Sequence, residues 1–235
     1  MKFISSFCAA FLAVIPSLQA GVVEYTLDIR ETTTSPAGKP VKALTINGGL
    51  PGPTLRFQEG DTARIHVVNG LKNEEVSSHW HGLLVPNVED GVPYVTTPPI
   101  FPGKSRTFEF PLKHAGTYWY HSHTGLQEQR GVYGSIVIEP KNGERVKADK
   151  EAVLVLSDWT NENPQDVMRS LMRASDWYAI KKGTAQSVLG AAKAGYLKDY
   201  FQREKSRLPP MDVSDVAYDA FLINGRPRME IPAKP

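Results

Sequence analysis

Four of the six histidines fall in two pairs of the form His-x-His, His79-Trp80-His81 and His121-Ser122-His123. In an extended strand, residues i and i+2 project to the same face roughly 7 Å apart, so each pair presents two imidazoles to one space. That spacing suits two neighbouring metal ions better than one. Imidazole is a neutral nitrogen donor near physiological pH and accepts copper, zinc, nickel or iron. Two such pairs on neighbouring strands of a sandwich would bring four nitrogens together, and Trp80, Trp119 and Tyr120 would help to restrict water around them. Four histidines can also make a tetrahedral zinc site, so the spacing alone leaves the metal open. One His-x-His arises readily by chance. Two pairs holding four of six histidines favour metal binding over that bland account. His66 and His114 stand alone and read as structural or surface residues.

The elements that must position these residues are short strands. Over residues 21–140, apolar-alternating runs are punctuated by Asn47-Gly48-Gly49, Glu59-Gly60-Asp61, Asn69-Gly70 and Pro102-Gly103. This is the pattern of an all-β sandwich or barrel. Val23, Tyr25, Leu27 and Ile29 share one face of a first strand. Further strands are expected over 42–46, 54–57, 63–68, 78–84, 105–110, 117–121 and 135–139. Residues 141–151 are polar and read as a domain seam, and 152–156 open a new strand. The pattern then turns helical over 166–174 and 184–201, ends at Pro209-Pro210, and returns to strand and hairpin at Phe221, Ile223 and Asn224-Gly225.

Composition narrows the functional classes. The chain has 235 residues, 41% hydrophobic and 22% charged, which is ordinary globular usage. A net charge of +2 gives no general attraction for nucleic acid or an anionic membrane. Residues 1–20 read as a secretory signal, with Lys2, an apolar run over 7–15 and a small residue at Ala20. The apolar run is shorter than the roughly 20 residues of a spanning helix, so no stable membrane span is expected and the product is assigned to the periplasm or the exterior. The only cysteine, Cys8, lies within that leader. The mature chain therefore has no disulfide, no thiol nucleophile, no iron–sulfur cluster and no thiolate metal ligand.

At the histidines and around them, a resemblance becomes specific. The stretches Asn47-Gly48-Gly49-Leu50-Pro51-Gly52-Pro53, His79-Trp80-His81-Gly82, Asp90-Gly91-Val92-Pro93 and Gly116-Thr117-Tyr118-Trp119-Tyr120-His121-Ser122-His123 resemble the N-terminal cupredoxin domain of multicopper oxidases in order and spacing. Gly125-Leu126-Gln127-Glu128-Gln129 and Leu154-Val155-Leu156-Ser157-Asp158-Trp159 are most similar to the bacterial copper-resistance members. The resemblance covers most of residues 21–160, and again 221–227. It implies a mainly β chain: a cupredoxin-like Greek-key β-sandwich over 21–145, then an incomplete second cupredoxin domain with a helical insertion over 150–235. It also implies that His79 is a ligand of the type 2 copper, and that His81, His121 and His123 are ligands of the paired type 3 coppers. Asp90 matches the acidic residue that family members hold near this cluster as a proton relay. As a residue before glycine, it is equally well read as a turn aspartate. In the family the cluster reduces dioxygen to two waters with four electrons drawn from a type 1 copper.

Departures from the family pattern qualify that expectation. The remaining cluster ligands and the cysteine of the type 1 copper belong to a C-terminal cupredoxin domain whose motifs are missing here. Four histidines are half of the family's set. Met168 and Met172 lie one helical turn apart, a spacing that reads as core packing. The expected function is the copper-binding N-terminal portion of an oxidase of cuprous ion or phenols, inactive alone. The competing class is a short periplasmic copper-sequestering protein without turnover.

Overall fold

A computed structural model describes residues 21–173, 178, 187–206 and 216–231. The expected leader at 1–20 lies outside the described residues, as do parts of the helical region. Eight strands form two four-stranded sheets: β1 (Val22–Thr34), β2 (Val41–Ile46), β3 (Leu55–Gln58), β4 (Thr62–Asn69), β5 (His79–His81), β6 (Ser105–Pro111), β7 (Gly116–His121) and β8 (Tyr133–Glu139). One sheet runs β2-β1-β4-β6 and the other β3-β8-β7-β5. Two pairings are parallel, β1 with β4 and β3 with β8, and the rest within the sandwich are antiparallel. The chain thus crosses repeatedly between sheets instead of meandering within one.

Period-2 alternation explains the core. Leu27 and Ile29 of β1, Ala63, Ile65 and Val67 of β4, and Phe108 and Phe110 of β6 project inward from one sheet. Trp80, Tyr120, Ile136 and Ile138 meet them from the other. Trp80 is fully buried, with Phe108 edge-on at 5.3 Å between ring centroids and Phe110 tilted at 5.5 Å. Tyr120 is buried beside it and donates its hydroxyl proton to the Pro53 carbonyl at 2.8 Å. A Cβ on Gly134 would lie 2.4 Å from that hydroxyl oxygen, so only glycine lets β8 pass over the ring.

Beyond residues 141–151, which are exposed and without strand or helix, the antiparallel pair β9 (Leu156–Trp159) and β10 (Ala220–Ile223) packs on the sandwich. Trp159 and Leu222 bury against Ala43, and the Tyr133 hydroxyl lies 2.8 Å from Ser157 Oγ. Among the described residues, the interval holds helices α1 (Pro164–Met172), α2 (Val188–Lys193) and α3 (Leu197–Ser206).

Several expectations are corrected. The strand expected over 78–84 is limited to His79–His81, because Gly82 takes φ +86 and turns the chain. The strand expected over 152–156 forms downstream, at Leu156–Trp159. The single helix expected over 184–201 is two helices where described, with 184–186 outside the described residues. Gly195, at φ +77, ends the first, with Gly195 N donating to Ala192 O and Tyr196 N to Ala191 O. Met168 and Met172 are exposed, not core, since α1 buries no residue.

The Trp80→Ala variant is expected to lose about 3–5 kcal/mol of stability, the range for emptying a core aromatic site. Urea denaturation of the two chains measures it.

Candidate metal centre

Antiparallel pairing of β5 with β7 sets His79 opposite His121, Trp80 opposite Tyr120 and His81 opposite Trp119. The alternation that buries Trp80 and Tyr120 must therefore place His79, His81, Trp119 and His121 together on the outer face of the sheet. His79, His81 and His121 each bring one ring nitrogen within 4.8 Å of the others, a spacing able to hold a metal ion. The fourth histidine arrives differently. β7 ends at His121, and His123 reaches the group from the following loop, with its ring centroid 4.9 Å from His79 and 5.0 Å from His121. All four histidines singled out in the sequence are thus neighbours; His66 is remote, bonded to Thr107 Oγ1 at 2.7 Å.

Of the three aromatics expected to shield the group, only Trp119 touches it. Its ring stacks on His121 at 4.0 Å and on His81 at 4.9 Å. Trp80 and Tyr120 occupy alternate positions and face the core. His121 is buried and His79 half-buried, whereas His81 and His123 are exposed. Burial, then the neighbouring His121 and His79, depress the pKa of both His81 and His123. Both are accordingly neutral at physiological pH, the state a metal ligand requires.

The ring orientations are set by hydrogen bonds. His79 donates from Nδ1 to the Asp90 carbonyl at 2.7 Å, with Asp90 Oδ1 at 3.4 Å. His121 Nδ1 lies 3.1 Å from the Ser122 carbonyl and 2.9 Å from Glu128 Oε2. With Nδ1 engaged in both rings, Nε2 is the atom left for a ligand. His121 Nε2 in turn stands 3.2 Å from His81 Nδ1. His121 also donates to Glu128, and that bond holds the Glu128 carboxyl below the usual carboxylate range.

Asp90 sits where both of its readings meet. It ends a 3-10 turn at Asn87–Glu89, and Gly91 follows at φ +84. A Cβ on Gly91 would fall 1.7 Å from the Ser78 carbonyl oxygen, so this close approach, which carries the Asp90 carbonyl to His79, requires glycine. The buried Thr97 hydroxyl accepts from Gly91 N at 2.9 Å and donates to the Val88 carbonyl at 3.1 Å, closing the loop.

The sequence reading did not single out the polar side chains that hold the second pair. Buried Ser77 accepts from His123 N at 2.8 Å and from Thr124 Oγ1 at 3.1 Å. Ser122 donates to Gln127 Oε1 at 2.8 Å, and Gln127 Nε2 donates to the Glu75 carbonyl at 2.8 Å. Ser77 and Ser122 adjoin the histidine pairs in sequence, and Gln127 lies in the stretch Gly125-Leu126-Gln127-Glu128-Gln129 that carries the resemblance.

The sheet order, the crossed connections and the face-sharing histidines define a mainly β, cupredoxin-like sandwich with a histidine face able to hold a metal ion. Residues 28–143 match the multicopper oxidase family model. Copper resistance protein A of Escherichia coli is 42% identical over 221 residues, covering 92% of this chain and 36% of that protein. Copper resistance protein A of Pseudomonas syringae pv. tomato is 42% identical over 86% of this chain and 34% of its own length. The crystal structure of a laccase from Botrytis aclada superposes with a TM-score of 0.60 at 36% identity, covering 66% of this chain and 29% of the laccase. The chain belongs to the multicopper oxidase family, and it spans about a third of the length of these curated relatives. The family uses copper, and the histidine donor set fits such an ion.

Ser77→Ala is expected to cost about 1–3 kcal/mol, because it leaves the His123 amide without its buried acceptor. Urea unfolding of the metal-free chain gives the value.

Proposed function

We propose that this chain is the copper-binding N-terminal portion of a multicopper oxidase acting in copper resistance, with His79 at the type 2 position and His81, His121 and His123 at the type 3 positions. The observation that carries the reading is the convergence of four imidazoles from two strands and one loop on a single face. The 3.2 Å between His81 Nδ1 and His121 Nε2 is close to the roughly 3.3 Å that separates two nitrogens bound about 2.0–2.1 Å from one tetrahedral ion. His81 and His121 would hold one ion, with His79 and His123 available to its neighbours. Copper, when bound, supplies the one-electron redox steps that couple oxidation of cuprous ion or a phenol to reduction of dioxygen to water.

This chain's own residues prepare the face for that chemistry. The Asp90 carbonyl and Glu128 carboxylate fix Nδ1 of His79 and His121, so that their Nε2 atoms point outward before any ion arrives. Trp119 covers the His81 and His121 rings and limits access of water from that side. Asp90, with Oδ1 at 3.4 Å from His79 Nδ1 and Oδ2 at 3.5 Å from Thr96 Oγ1, is read as the acidic proton relay at the rim of the group. The exposed His81 and His123 face outward, where a C-terminal cupredoxin domain would bring the other ligands. The division of the chain is read as a cupredoxin domain over 21–145 and the start of a second over 150–235, in a product exported to the periplasm or beyond. Among the described residues no helix is long and apolar enough to cross a membrane.

Copper titration of the purified chain, with electron paramagnetic resonance on the same samples, tests the metal assignment. Stoichiometric binding with a non-blue cupric signal, lost in His79→Ala and His121→Ala, is expected. No binding, or zinc held in preference, overturns it. The polypeptide alone is expected to consume no oxygen with cuprous ion or a phenol, and measurable consumption in an oxygen electrode would contradict that.

A further inference from the structure

Glu128 belongs to a loop that is anchored on both sides of it. Gln127, buried, is tied to the Glu75 carbonyl and Ser122, and Arg130 Nη1 contacts both Glu74 carboxylate oxygens at 3.0 and 2.7 Å. The Arg130 carbonyl in turn accepts from Leu44 N of β2 at 2.8 Å. From this fixed backbone the Glu128 carboxylate reaches back to His121 Nδ1 at 2.9 Å. Trp119 closes one face of the same imidazole.

We propose that Glu128 is a positioning residue for His121: its carboxylate holds the imidazole in the Nδ1-protonated tautomer and turns Nε2 toward the metal face. The proposal rests on the reading of His121 as a copper ligand. The competing acceptor is the Ser122 carbonyl at 3.1 Å, a neutral group on the adjoining residue. A carboxylate acceptor is charge-assisted and forms roughly twice as strong a bond as a neutral one. It also raises the donor strength of the opposite nitrogen, and it places a carboxylate beside a cluster of imidazoles. His79 is held differently: the Asp90 backbone carbonyl is its near acceptor at 2.7 Å, and the Asp90 carboxylate stands farther off at 3.4 Å. Glu128 is therefore the point at which ligand orientation depends on one replaceable side chain.

The test uses the full chain with Glu128→Ala and Glu128→Gln. In the metal-free, 15N-labelled protein, long-range proton–nitrogen correlation reports the tautomer of His121. Competition with a chelator measures cupric affinity. Glu128→Ala is expected to lose the single Nδ1-protonated form and to weaken cupric binding about 10–100-fold. Glu128→Gln, which keeps an acceptor oxygen, is expected to restore the tautomer and most of the affinity. Glu128 is partly exposed, so both variants keep the fold, as their urea midpoints will register. An unchanged tautomer or unchanged affinity in Glu128→Ala overturns the proposal, as does Glu128→Gln behaving like Glu128→Ala. The tautomer is read without metal. Failure of the unsubstituted chain to bind copper would thus count against the ligand assignment, while the tautomer result still decides what Glu128 does.

Discussion

The register of β5 against β7 is the constraint on which the metal face depends. His79 lies opposite His121 only because Trp80 lies opposite Tyr120. A slip of one residue would put an imidazole in the core and an indole on the metal face. Three residues of edge strand supply too few ladder bonds to enforce this alone. Enforcement comes from the other side of the sheet: Trp80 is fully buried among Phe108, Phe110 and Tyr120, and its Nε1 donates to the Glu89 carbonyl at 3.0 Å. Core packing on one face thus determines ligand geometry on the other.

That coupling explains what was legible in the sequence. Period-2 alternation, turn glycines and the two His-x-His pairs carry local information, and they indicate the sandwich, the faces of β1 and the four clustered histidines. Trp80 and Tyr120 were assigned to the metal face by proximity in sequence, although the same alternation that aligns the histidines sends their neighbours inward. His123 joins the group from a loop instead of a strand, because the ladder stops at His121. The two helices in place of one, separated at Gly195, follow from a local signal that an amphipathic pattern running across the break obscured.

The supporting polar network was not legible, for a different reason. Ser77 reaches His123, and Gln127 reaches Glu75, across separations of 46 and 52 residues. No periodicity marks such contacts, since each depends on where separate strands end. Asp90-Gly91 shows the same limit. The dipeptide is recognisable as a turn, yet its importance lies in the approach of Gly91 to Ser78, which carries the Asp90 carbonyl to His79.

These contacts divide the work of ligation unevenly between protein and metal. An imidazole whose Nδ1 is already bonded loses little further freedom when Nε2 takes an ion, so His79 and His121 are organised in advance. His81 and His123 are exposed, and among the described residues their rings meet aromatic neighbours apart from the 3.2 Å contact between His81 and His121, so in the proposed reading their final orientation is left to the ion. In the proposed reading, such an arrangement retains metal without completing a redox centre. The buried half of each pair provides a rigid base, and the exposed half remains adjustable until the remaining ligands arrive. Metal binding, in that reading, rests on residues 79–123, where the packing of Trp80 and Tyr120 fixes the histidines before any ion is present.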